Sequence, residues 1–143
     1  MFDINRETMD ITMHRGDTGA FKVHAARESG AAWTEYDRMI FTVTDMNGLV
    51  RMQRYYRLDT GRVVDFGDGV AEIEFHNDDT DKWSPGQYTT ELRFVVLPVW
   101  DDANIPEDDV VDVHADTPRI IEGGVVRTKI QATITLRGVL AEV

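Results

Sequence analysis

An all-β fold is predicted by this sequence: an antiparallel, immunoglobulin-like β-sandwich of about seven to eight strands, with a jelly roll or small barrel as the alternative. Three observations lead there. Apolar residues recur at a period of two in one segment after another. Glycine, proline and Asn-Gly turn signals separate those segments. No stretch carries the 3.6-residue period of an amphipathic helix. With 143 residues, the chain is one domain, 1–143, long enough to bury a core without staples.

The elements follow in order. Residues 10–14 form a short extended piece, broken by Arg15-Gly16-Asp17-Thr18-Gly19, after which Phe21 and Val23 resume the alternation. A first strand with a glycine kink suits an edge strand that changes sheets. Trp33 and Tyr36 are candidate packing anchors in the polar connection that comes next. Met39, Phe41 and Val43 alternate with Ile40, Thr42 and Thr44, and lead into Asn47-Gly48. That dipeptide is a strong hairpin signal, because a two-residue type I′ turn needs φ > 0 at both positions. The return strand, 49–58, places Val50, Met52, Tyr56 and Leu58 on one face, with Arg54 breaking the pattern and a wet opposite face. A small strand is expected at 62–66, and then Ile73 and Phe75 point inward.

Residues 76–96 organise the chain. Asn77-Asp78-Asp79-Thr80 offers short side chains that bond nearby backbone. Trp83 reads as a plug over the end of the core. Pro85-Gly86 suits a type II turn, with Pro at the second position and Gly at the third. Tyr88, Thr90, Leu92 and Phe94 then share one face of a strand that this reading makes the longest in the sheet opposite. A last strand, 125–136, closes the sheet as a long edge. Between them, 98–124 is a long acidic loop holding three prolines and eight acids against the single base Arg119.

Composition narrows the function classes. The 42% hydrophobic and 29% charged fractions fit a folded domain. There is no cysteine, which removes disulfides and thiolate chemistry. A net charge of −11 disfavours nucleic acid and anionic membranes as partners, since phosphates are met mainly by Lys and Arg. The first residues lack a basic start followed by an apolar run, so no signal peptide is expected.

Candidate chemistry is sparse. Arg15-Gly16-Asp17 matches an integrin-binding tripeptide, but it also makes sense as a strand break. His14, His24, His76 and His114 share no ligand spacing. Asp101, Asp102, Asp108 and Asp109 could give calcium its hard oxygens, but the EF-hand order is absent and a solvated, self-repelling loop explains them better. Glu72 and Glu74 form a surface carboxylate pair, and Ser29 and Ser84 lack a nucleophile elbow. No enzyme and no cofactor are expected.

Three stretches carry a resemblance. Ile11-x-Met13-x-Arg15-Gly16-Asp17-Thr18 with Phe21-x-Val23, and Asp79-Thr80-x-x-Trp83-x-Pro85-Gly86-x-Tyr88, resemble the amino-terminal domain of phage baseplate upper proteins and related prophage tail structural proteins; Val126-x-Thr128-x-Ile130 resembles their closing strand. The resemblance implies a virion protein of the tail or baseplate, made in the host cytoplasm, whose partners are copies of itself or neighbouring phage structural proteins. Pairing through the last strand's edge, and an acidic arm docking on Arg51, Arg54 and Arg57 of a neighbour, would serve that assembly. The alternative is a carbohydrate- or calcium-dependent binding and adhesion module.

Overall fold

The computed structural model describes residues 2–24, 34, 36–59, 70–96 and 125–138. The strand expected at 62–66, Trp33 and the acidic segment 98–124 lie outside them. The described residues are mostly β. In chain order they form β1 (Asp3–Ile4), β2 (Ile11–His14), β3 (Gly19–His24), β4 (Arg38–Thr44), β5 (Val50–Arg57), β6 (Val70–Phe75), the single helical turn α1 (Asn77–Thr80), β7 (Gly86–Val96) and β8 (Val125–Arg137). Six strands make one sheet in the order β1-β2-β8-β7-β4-β5, and β3 pairs with β6 in a second.

One pairing departs from the antiparallel expectation. β2 runs parallel to β8, from Ile11 opposite Ile134 to His14 opposite Arg137. No hairpin joins these two strands, so nothing local sets their relative direction. β8 is also an interior strand, flanked by β2 and β7, and not the sheet edge expected of it. At 13 residues it is longer than the 11-residue β7. Next to the short β2 contact, the Asp10 carboxylate accepts the Thr133 N–H at 2.9 Å, placing a charge where another strand would otherwise bond.

The alternation of β7 holds. Tyr88, Thr90, Leu92 and Phe94 are buried, while Gln87 and Thr89 are exposed. They share a core with Met39, Phe41 and Val43 of β4, Ile134 and Leu136 of β8, and Ile73 and Phe75 of β6. Rings join the two sheets. Phe41 meets Phe21 edge-on at 6.1 Å and Phe75 at 6.0 Å, and Phe2 lies 5.9 Å from Phe75. The change of sheet expected at the glycine kink is present, with β2 in the large sheet and β3 in the small one.

β4 is buried on both faces. Ile40, Tyr55 and Val95 form a second cluster opposite the main core, so the outer face of β5 is drier than its arginines suggest. Tyr36, by contrast, is exposed.

The β4–β5 turn also differs from expectation. Gly48 has φ +83°, but Met9 is the only described non-glycine residue with positive φ, so Asn47 does not adopt the type I′ conformation. Instead the Gly48 N–H donates to the Asp45 carbonyl at 3.0 Å and the Asp45 N–H to the Leu49 carbonyl at 2.9 Å. This is a three-residue loop with glycine in the left-handed position. Asp45 selects it, because its Oδ1 accepts the N–H groups of Asn47 and Leu49 at 2.9 and 3.0 Å.

Candidate functional site

The first two segments that carry the resemblance meet through Gly16, Asn77 and Thr80. Where β2 ends, the Asp17 carboxylate turns back to accept the His14 N–H at 2.8 Å, and the Asp17 N–H donates to the His14 carbonyl at 3.1 Å. Gly16 sits at φ +82°, a conformation that favours glycine. Its N–H donates to Thr80 Oγ1 at 2.9 Å, and its carbonyl accepts from Asn77 Nδ2, also at 2.9 Å. The Arg15-Gly16-Asp17 tripeptide is thus a strand break locked onto α1.

Thr80 is fully buried. Thr80→Val keeps the shape but leaves the Gly16 N–H without its acceptor. A loss of about 1–3 kcal/mol is expected, measured by urea unfolding, while Thr80→Ser should retain most of the stability.

α1 holds a charge pair that the strand pattern only hinted at. Arg54 lies on the core-facing side of β5, opposite Phe41, with its side chain 5% exposed. Its guanidinium reaches Asp79 Oδ2 at 2.6 Å, and the same oxygen accepts the His76 N–H at 2.6 Å. Arg54 Nε is buried without a hydrogen-bond partner. A strand position that ought to be apolar but carries arginine signals a buried ion pair, because an unpaired charge there would be very costly.

Of the three arginines expected to receive a neighbour's acidic arm, Arg51 and Arg57 reach the surface and Arg54 does not. Arg54 is internal, Arg51 Nε bonds Asp45 at 2.9 Å, and Arg57 holds Asp59 at 3.0–3.1 Å. The Arg57 hydrogen bonds hold the Asp59 carboxyl below the usual range.

Beyond α1, the Trp83 N–H donates to the Thr80 carbonyl at 3.0 Å. The Trp83 ring stacks on Tyr88 at 5.1 Å, and the Tyr88 hydroxyl donates to the Ser84 carbonyl at 2.6 Å. Trp83 packs against the core half-buried, so it is a rim residue more than a plug. Pro85 and Gly86 are exposed at the entry to β7. Gly86 has φ +148°, a positive value that favours glycine but lies far from the +80° or so that a type II turn requires. Burial pushes the Tyr88 phenol up.

The remaining candidates separate. Asp101, Asp102, Asp108 and Asp109 lie outside the described residues. Among the described residues, no group of three or more His, Asp or Glu side chains converges to hold a metal ion, and no helix is long and apolar enough to cross a membrane. Glu72 and Glu74 share the outward face of β6, with His76 Nε2 3.6 Å from Glu74 Oε2.

A hydrogen bond shared with Glu74 pushes the Glu72 carboxyl up; partial burial and the neighbouring charge add to this, while Lys22 across the strand opposes it. A raised carboxyl means that ionising Glu72 weakens the fold. That penalty is absent below the unfolded value near 4.5, grows as pH rises, and is complete above the folded value. Glu72→Gln should therefore match the wild type at pH 4 and exceed it at pH 7, as read by paired melting curves.

Compared with protein-family models, curated proteins and solved structures, the chain matches none.

Proposed function

We propose that this chain is a non-enzymatic structural module of a phage or prophage particle. It is associated with the tail or baseplate and works by protein–protein assembly with its own copies or with neighbouring particle proteins. The observation that carries this reading is the meeting of the first two resembling segments across 64 residues, through Gly16 and Thr80. Their polar groups are engaged in fixing the fold: Asp17 on His14, Asn77 on Gly16, Asp79 on Arg54. A segment whose polar groups hold its own backbone suits a scaffold better than a reaction centre, where donors and acceptors must face a substrate.

An immunoglobulin-like sandwich is part of the same reading. The split first strand supports it, since strands that switch sheets make the corners of such folds. Mass spectrometry of purified particles from a host carrying the sequence tests the role. Stoichiometric recovery of the chain is expected. Particles that assemble without it, or hydrolysis of a polysaccharide by the purified chain, would reject the proposal.

A further inference from the structure

Among the described strands, β1 ends the large sheet and β3 ends the small one. A groove of about 610 Å³ lies between them, walled by Ile4, by Arg6 and Met9 of the loop that follows β1, and by residues 20–23 of β3. Side chains of a strand alternate between two faces, so a pocket on one face meets every second residue. This groove meets Ala20, Phe21, Lys22 and Val23 in succession. It therefore runs along the edge of β3, where the backbone polar groups are. β3 pairs with β6 on one side, and no described strand pairs with its other side. The edge so lined is about 13 Å long, four residues at roughly 3.3 Å each.

The walls add two kinds of side-chain contact. Phe21 and Val23 point to the core side with Ile4 and Met9, and all four pack on the core while staying partly exposed. Ala20 and Lys22 are exposed on the opposite face of β3, and Arg6 is exposed on the loop. Both charged groups of the described lining are thus basic, in a chain whose acids outnumber its bases 26 to 15. Lys22 stands opposite Glu72 of β6, whereas Arg6 has no ion-pair partner among the described residues. The loop wall is preformed. Asn5 Oδ1 accepts the N–H groups of Glu7 and Thr8, and the Met9 N–H donates to the Asn5 carbonyl at 2.7 Å. These bonds hold Met9 at φ +65°, a strained conformation for a residue with a Cβ, and backbone of that kind persists only where its surroundings over-determine it.

We propose that this groove takes an extended segment of a partner protein, alternating apolar and acidic residues, which adds to the edge of β3 as a third strand of the small sheet. An open strand edge selects an extended backbone, because only that meets N–H and C=O groups at the strand's own spacing. The alternation follows from the two faces. Side chains on the core side meet Met9, Phe21 and Val23, and those on the outer side stand beside Lys22 and within reach of the basic wall, where carboxylates are favoured. A second copy pairing through the same edge does not fit this chemistry, since it would set the bases of one groove against those of the other. The inference rests on the assembly role proposed above and names the chemistry of the partner that one surface accepts.

Amide chemical-shift titration of the whole chain tests it, with blocked peptides long enough to span residues 20–23. A peptide alternating valine and glutamate should shift the amides of 4–9 and 20–23 at low salt, and more weakly as salt rises. The same peptide with lysine in place of glutamate should bind at least about tenfold more weakly. In the Arg6→Glu/Lys22→Glu variant, whose fold is checked by circular dichroism, that preference should reverse. Two further valine–glutamate peptides carry N-methyl groups on one or the other set of alternate residues. One should bind and the other should not, because a strand turns only every second N–H towards its neighbour.

No shift with millimolar valine–glutamate peptide overturns the inference, as does equal binding of the lysine peptide. Equal binding of the two N-methylated peptides also overturns it, since the ligand would then be held by its side chains and not as a strand. Each result separates from the broader role. Incorporation into particles by a chain that takes none of these peptides would sink this contact alone. Peptide capture along β3 by a chain absent from particles would sink the particle role alone.

Discussion

Asp79→Ala is expected to produce the largest loss of stability among polar substitutions, about 3–5 kcal/mol, because it strands a buried arginine without its counter-charge. Arg54 has no nearby exit to water. Its side chain is 5% exposed and its Nε already lacks a partner. The reverse change should be milder. Arg54→Met removes the charge and fills the space with a flexible apolar side chain, while Asp79 still accepts the His76 N–H and is itself closer to solvent. Urea unfolding of the two single variants and of Arg54→Met/Asp79→Ala decides the matter. The double variant should recover most of what Asp79→Ala loses. Equal losses for both single variants would mean that the pair is more solvated than its geometry indicates.

Phe41→Ala is expected to cost about 3–5 kcal/mol from the cavity and lost transfer energy of a buried ring. The edge-on contacts to Phe21 and Phe75 add roughly 0.5–1.5 kcal/mol each. Phe41 is 1% exposed and central in the ring chain that joins the two sheets. Its loss should loosen the β3–β6 pair specifically, seen as faster amide exchange on those strands than on β7 and β8. Phe21→Ala, at a half-buried position, should cost visibly less. A Phe41→Ala protein within about 1 kcal/mol of the wild type would show that the small sheet is held chiefly by other contacts.

Both predictions depend on side chains whose partners are far away in the chain, and local sequence carries no signal of such pairings. The period of two was enough to place six of the strands and the buried faces of β6, β7 and β8, because burial on one side of a pleated strand writes itself into every second residue. The glycine kink at Gly16 and the sheet change after it were equally legible, since few residues other than glycine accept φ near +80°. Turn type was less so. Asn47-Gly48 and Pro85-Gly86 are recognisable as turns, but Asp45 imposes a three-residue loop on the first, and the second has Gly86 at φ +148°, not the type II value.

Four features were decided only in three dimensions. The parallel pairing of β2 with β8 joins strands that share no hairpin, so no local signal records it. The interior position of β8 follows from what covers its outer edge, namely β2 and the Asp10 carboxylate, both more than a hundred residues earlier. Arg54 reads as a flaw in a strand until Asp79, 25 residues on, is brought to it by the single turn of α1. The contact of Gly16 with Thr80 is of the same kind. Periodicity reports how often a side chain meets the core, but carries no record of which distant group it meets there. Strand neighbours, buried ion pairs and the lock of Gly16 on Thr80 are all set by that second choice, which the folded chain makes by satisfying the donors and charges it buries.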